Sequence, residues 1–286
     1  MSLRILARGD EAALDSFLAA HADSSMFLRS NLRSAGIVYR GAPLEAVYVA
    51  CFRHGRLAGV AAHCWNGIVL IQAGAEIDAL MAALVDASER PVTGIVGPLA
   101  QVRAARSALG MSEVACQIDS TEELYALALD ELAVPPALRD GKVRCRRPER
   151  AETPLLAEWR YAYSVEALNS QPGVALRRRC EKEVELLPLD WQFMLVDGDE
   201  AVAYSAFNAA LPEAVQIGGV WTPPERRGRG YGRSIVAGSL LAARDGGARR
   251  AVLFTGEHNV AAKRAYAALG FRRVGDWAIV LFADPA

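Results

Sequence analysis

Residues 221–234, WTPPERRGRGYGRS, place three glycines and four arginines in one short segment. The apolar run 214–221 before it reads as a strand, and a helix is expected to start near Tyr231. Glycines at 228, 230 and 232 let the backbone take positive φ and approach a ligand closely. The N–H groups that open the helix have no intrahelical acceptor, and the positive end of its dipole points into the loop. That arrangement binds an anion such as a pyrophosphate. Arg226, Arg227, Arg229 and Arg233 could add charge-assisted hydrogen bonds. Other phosphate loops fit less well. The chain has no Gly-x-x-x-x-Gly-Lys-[Ser/Thr], and the glycines read GxGxG rather than GxGxxG. A solvated Gly/Arg turn is the plain alternative, but it leaves the strand–loop–helix context unexplained.

The remaining reactive side chains carry less. The five cysteines stand at 51, 64, 116, 145 and 180 without a CxxC pair, and their odd number argues against a disulfide framework. A reducing, cytoplasmic setting is expected. The histidines lack HExxH spacing. His63 beside Cys64 reads as buried core rather than a metal pair, so no metal is expected.

These residues need a scaffold, and the composition supports one. The chain has 286 residues, 52% hydrophobic and 23% charged, with a net charge of −1. That is enough for two domains with real cores and gives no global field toward nucleic acid or a membrane. The N-terminus has no apolar leader. Residues 57–75 carry no charge, which raises a membrane span, but Asn66-Gly67 in their middle reads as a hairpin turn between two strands.

Strand and helix signals then run twice in the same order. In the first half, Asp10 is expected to cap a helix over 11–20, and a helix over 25–35 stops at Gly36. Strands follow at 46–53, 56–64 and 68–73, then a helix at 76–87, a strand at 92–96 and a helix at 98–109. After a linker around Pro135-Pro136 and 139–142 comes a basic strand at 142–147. Thr153 is expected to cap a helix with Pro154 at its first position. Next are a helix at 174–187 and strands at 191–196, 200–208 and 214–221, with a turn at Asp197-Gly198. After the glycine loop come a helix at 231–244, a strand at 250–255, a helix at 259–269 and a strand at 272–282. Residues 92–111 overlay 252–271 without a gap, both closing on Ala-Leu-Gly and a bulky apolar residue. The expected class is α/β, with two tandem units at 1–135 and 136–286, each a mixed, mostly antiparallel sheet flanked by helices.

Arg227-Gly228-Arg229-Gly230-Tyr231-Gly232 resembles the Arg/Gln-x-x-Gly-x-Gly/Ala signature of the GNAT superfamily of N-acyltransferases. Asn259, Tyr266 and Leu269-Gly270-Phe271 resemble the same family's Asn-x6-Tyr-x-x-Leu-Gly-Phe block. Phe27-Leu28-Arg29-Ser30-Asn31-Leu32 is similar to bacterial members that carry a degenerate first copy. The resemblance implies acetyl-CoA as cosubstrate, its pyrophosphate lying on the backbone of 228–233, so that Gly228, Arg229, Gly230, Tyr231, Gly232, Arg233 and Ser234 are cofactor positions along with Arg227. It implies a pantetheine arm paired with 218–222, hence Val220, Trp221 and Thr222, between two parallel strands that splay. A backbone N–H near Val220 would polarise the thioester carbonyl, Asn259 would hold the pantetheine, and Tyr266 would protonate the leaving thiolate.

One departure stands out. Many members carry a Glu on the strand before the loop as base, and here 214–221 offers only Gln216. Glu213, Glu257 and His258 are alternatives, or the amine arrives neutral or loses its proton to water. In the first half, Ala75-Glu76-Ile77-Asp78-Ala79 stands where the glycine loop would be, Leu99 overlays Asn259 and Arg106 overlays Tyr266. That half is expected to be structural or to shape the acceptor pocket. The expected activity is transfer of an acetyl group to a primary amine of a small molecule or peptide. An acyl-CoA-binding regulator without turnover and a nucleic-acid-binding Arg loop are the rivals. No nucleic acid or membrane partner is expected, and a homodimer is left open.

Overall fold

The computed structural model describes residues 1–283. In chain order it forms β1 (Ser2–Ile5), α1 (Glu11–Ala19), α2 (Met26–Ala35), β2 (Ala46–Arg53), β3 (Arg56–Cys64), β4 (Ile68–Ala73), α3 (Ile77–Ser88), β5 (Gly94–Pro98), α4 (Leu99–Ala108) and β6 (Cys116–Ala128). There follow α5 (Pro136–Arg139), β7 (Val143–Arg146), α6 (Thr153–Ala167), α7 (Val174–Leu186), β8 (Gln192–Asp197), β9 (Glu200–Ala210), β10 (Ala214–Trp221), α8 (Tyr231–Asp245), β11 (Arg250–Gly256), α9 (Val260–Ala267) and β12 (Arg272–Phe282). The class is mixed α/β, with mostly antiparallel strands flanked by helices. Among the described residues, no helix is long and apolar enough to cross a membrane.

Two compact units emerge among the described residues: those up to Leu124 together with 274–283, and Tyr125–Arg273. In the first, β1 to β4 pair antiparallel in sequence order, and β4 runs parallel to β5. Its core joins Val49, Ala61, Val69 and Ile71 of the strands to Leu80, Met81 and Leu84 of α3. Burying each such α3 side chain contributes roughly 1.5–3 kcal/mol. In the second, β7, β8, β9 and β10 pair antiparallel, and β10 runs parallel to β11. One face of these strands packs Phe193, Phe207, Val215 and Ile217 against Ile235, Val236 and Leu240 of α8. The other packs Met194, Val196, Tyr204 and Ala206 against Leu156 of α6 and Val184 of α7.

The repeated element order extends to hydrogen bonds. Phe271 N–H donates to the Tyr266 carbonyl at 3.1 Å, and Met111 N–H donates to the Arg106 carbonyl at 2.9 Å. Gly270 and Gly110 before them take φ of +100° and +68°. In the gap-free overlay these are equivalent positions, so both helices end on the same left-handed cap.

Several expectations shift. β1 and the thirteen-residue β6 were not anticipated; β6 carries Asp119, Glu122 and Glu123, which mask its alternation. Thr153 is the first helical residue rather than the cap: the backbone of Glu149 and the side chain of Glu152 close the preceding turn, and Pro154 lies one position further in. The β8–β9 turn falls at 198–199, because Asp197 still pairs with Glu200. The units also differ from halves at 1–135 and 136–286. Residues 125–135 sit with the second unit, and the last strand returns to the first, where Ala278 pairs with Gly97 and Ala278 and Val280 enter the core.

Candidate functional site

The residues singled out in the sequence lie where two parallel strands of the second unit part. Parallel pairing of β10 and β11 runs from Ala214↔Arg250 to Gln216↔Val252. Both strands continue beyond it, to Trp221 and Gly256, without further pairs to each other among the described residues. A bulge accompanies the parting. Gly218 pairs with Ala206 and Trp221 with Tyr204, so β10 carries one residue more than β9 over this stretch. Gly219 absorbs it at φ +61°, a conformation disfavoured for residues with a Cβ. A bulge leaves backbone groups outside the ladder, and Val220, half-buried, lies directly after it.

Because β10 and β11 are parallel, the segments that leave them emerge at the same end. From β10 comes the glycine loop, from β11 the Glu257–Asn259 turn. Gly230 caps α8 at φ +80°, and Ser234 N–H is the first in the helix to find an acceptor, the Gly230 carbonyl at 3.0 Å. The N–H groups of Tyr231, Gly232 and Arg233 therefore find no helical acceptor among the described residues. Added Cβ atoms on Gly228 would meet nothing, and on Gly230 only the far end of Arg233 at 3.7 Å. The loop is open on its outer side.

The four loop arginines divide into two pairs. Arg226 is bound to Glu200 at 2.7 Å. Arg227 reaches Glu166 of α6 at 2.8 and 2.9 Å, donates from Nε to the Thr222 carbonyl at 3.0 Å, and stacks on Trp221 with its guanidinium carbon 4.9 Å from the ring centre. These two hold the loop in shape. Arg229 and Arg233 are exposed and form no ion pair among the described residues, and Arg229 acts on the Tyr231 phenol beside it.

Several side chains expected at the site turn inward. Trp221 is buried with its edge toward Tyr163. Tyr231 is buried and donates to Asp197, whose hydrogen bond is the main reason its phenol pKa is raised. Ser234 is buried in the first turn of α8. At these positions only the backbone is available to a ligand. Thr222 is half-buried, with its hydroxyl 3.5 Å from where a Cβ on Gly232 would stand. Asn259 caps α9 by accepting from Ala262 N–H at 3.1 Å. Its amide nitrogen remains a donor. Tyr266 lies two turns into α9, 8% exposed, its ring edge-on to Phe271 at 5.9 Å.

No carboxylate stands on β10. Gln216 is buried with its amide nitrogen unpartnered, and a carboxamide cannot take a proton at neutral pH. Glu257 and the highly exposed His258 pair at 3.3 Å beyond β11. Among the described residues no cluster of three His, Cys, Asp or Glu could hold a metal ion. His63 is fully buried, with Nδ1 2.7 Å from the Ser88 hydroxyl and Nε2 3.2 Å from the Pro91 carbonyl, which assigns its proton to Nε2.

The matching region of the first unit is closed. A Cβ on Gly97 of β5 would lie 3.0 Å from both the side chain and the carbonyl of Ile71 on β4. Ala73 N–H, at the end of β4, is taken by the Gln101 side chain at 2.8 Å. Glu76 pairs with Arg53 at 2.5 Å. Arg106 is spent on the Met111 and Val114 carbonyls and on Asp119. Sequence reading did not find Glu166, Glu200 or Asp197, the acids that tether the loop and its helix. Each sits on an exposed face with ordinary helix or strand spacing and carries no local signal of a distant partner.

Residues 156–271 match the model of the Acetyltransferase (GNAT) family. No curated protein matches the chain at a significant level. Among solved structures, the chain resembles a Drosophila protein (TM-score 0.65, 13% identity, 98% of each chain covered). It also resembles a GNAT-family acetyltransferase from Colwellia psychrerythraea (0.53, 14%, 99% of this chain and 100% of that one). A third is a tandem GNAT protein from the clavulanic acid biosynthesis pathway (0.55, 13%, 100% and 99%). At these identities the likeness shows the fold.

Proposed function

We propose, from the premise that residues 156–271 are a domain of the acetyltransferase (GNAT) family, that the chain is an N-acetyltransferase moving the acetyl group of acetyl-CoA to a primary amine. The observation that carries this reading is the parting of β10 and β11 after Gln216 and Val252, beside a glycine loop that opens a helix. A thioester arm fits such a gap as an added strand along the edge of 218–222 that no longer pairs with β11. Its pyrophosphate would meet the N–H groups of 231–233, with Arg229 and Arg233 adding charge.

The amine nitrogen attacks the thioester carbonyl carbon, and negative charge develops on the oxygen. The Val220 N–H, outside the ladder, would stabilise that charge without reorganising. The C–N bond forms, the C–S bond breaks, and the departing thiolate takes a proton from Tyr266. Such a proton transfer is worth about 10²–10⁴ in rate. The amine's own proton leaves through water or toward Glu257 and His258. Asn259 would hold the pantetheine amide through its remaining donor. Five free thiols fit a reducing, cytoplasmic setting.

A screen of amines for acetyl-CoA-dependent thiol release tests the reading. A second reading, acyl-CoA binding without turnover, draws on the lack of a carboxylate on β10. Tight acetyl-CoA binding with no thiol release by any amine would favour it.

A further inference from the structure

Arg160 of α6 is not absorbed by the cofactor reading. Helix α6 packs against β10, and the Arg160 guanidinium ends beside the bulge. A Cβ on Gly219 would lie 3.9 Å from Arg160 Nη1 and 3.7 Å from Tyr204 Cε1. Next to it, the Asn208 carboxamide covers the position a Gly218 Cβ would need. A cation, an aromatic edge and a carboxamide thus converge on the two glycines that precede Val220.

Only part of that cation is used. Arg160 donates from Nε to Glu183 at 2.8 Å, and Glu183 also faces Arg179 at 3.6 Å. One carboxylate is thus shared by two guanidinium groups, and a net positive charge remains. Nη1 and Nη2 have no hydrogen-bond partner among the described residues, while the side chain is 28% exposed. Burial works against its charge, and Glu183 more than offsets this. The free edge of a planar guanidinium matches a carboxylate with two parallel hydrogen bonds. The same charge repels an acceptor that arrives with several ammonium groups, and it disfavours the ammonium form of a nearby amine.

We propose that Arg160 is a specificity-determining residue that binds the carboxylate of the acceptor, and that the acceptor class is small amines bearing a carboxylate next to the amine, α-amino acids in the first place. This rests on the acetyl-transfer reading above. With the carboxylate on Nη1 and Nη2, an amine one carbon away faces the strand at Gly219 and Val220, where the thioester carbonyl is expected.

The test uses the full-length protein. Thiol release from acetyl-CoA is measured with a panel of α-amino acids, their amides and the matching decarboxylated amines, compared at equal concentrations of neutral amine. Acetyl-CoA binding is measured separately by calorimetry. The expected result is a kcat/KM preference of at least about a hundredfold for the carboxylate-bearing acceptor. R160K should raise KM for that acceptor at least about tenfold while the acetyl-CoA Kd stays unchanged, because lysine cannot reproduce the bidentate contact. R160M should do the same without a charge. Equal use of amides and decarboxylated amines by the wild-type protein overturns the proposal and leaves the transfer reading standing, whether or not the variants fold. Absence of acetyl-CoA binding removes the transfer reading and this proposal with it.

Discussion

Arg227 and Glu166 form an ion pair with N···O distances of 2.8 and 2.9 Å, the second a hydrogen bond from Nη2, which fastens the glycine loop to α6 across 61 residues of chain. The pair is exposed on both sides, so its direct contribution to stability is within about 1 kcal/mol. Its consequence is for loop geometry. R227A, E166A and the double variant should each weaken acetyl-CoA binding by roughly three- to tenfold, and without additivity, because all three release the same tether. Tighter binding by E166A would instead make Arg227 a phosphate ligand that Glu166 holds back.

Gly230 sits at φ +80° at the cap of α8. Valine there is strained, and its branches would cover the N–H groups of the first helical turn. G230V should lose acetyl-CoA affinity by at least about a hundredfold, the scale of several charge-assisted hydrogen bonds. The stabilisation that acetyl-CoA gives the wild-type protein in thermal unfolding should vanish with it. A folded G230V with wild-type affinity would remove the loop from the site.

Tyr266 packs its ring against Phe271, and phenylalanine keeps that contact. Y266F should lower the single-turnover rate at least about tenfold while the acetyl-CoA Kd barely moves, the pattern of an interaction made in the transition state. An unchanged single-turnover rate assigns Tyr266 to packing.

The first unit should bind no acetyl-CoA. Gly97 against Ile71 and Gln101 on Ala73 N–H close the place where a thioester arm would enter. Calorimetry on the full chain should give one site, and G230V should abolish it. A second site surviving in G230V would contradict this.

Burial, aided by the charge of Arg90, lowers the His63 pKa from 6.5 to about 4. Between those values the unfolded chain binds a proton that the folded chain does not. His63 therefore contributes its full stability above about pH 6.5 and loses it as pH falls toward 4, a loss of about 3 kcal/mol. Thermal unfolding from pH 7 to 4.5 should show this decline, and H63Q should flatten it. The same slope in H63Q would place the acid sensitivity elsewhere.

Much of this was legible in the residues. Asn66-Gly67 and the glycine loop each carry local turn chemistry, and the strands β2, β3 and β4 are short apolar runs buried on both faces. The matched ends of 92–111 and 252–271 pointed to a repeat, and both halves do close α4 and α9 on the same cap. β6 was hidden because its acidic residues break the apolar pattern, and strand propensity depends on what lies beside it.

The sequence by itself determined most of the strands and helices, though not β1 or β6, and where backbone donors cluster around 228–233, because turns, caps and apolar runs are local properties of the chain. Tertiary structure alone decided that β12 pairs with β5, since an alternating strand encodes a buried face but not a partner. It also decided that Arg226 and Arg227 serve Glu200 and Glu166 while Arg229 and Arg233 form no ion pair among the described residues, and that Arg160 ends beside Gly219. Ion pairs of this kind depend on distances across the fold, and those distances exist only once α6, β9 and β10 have packed together.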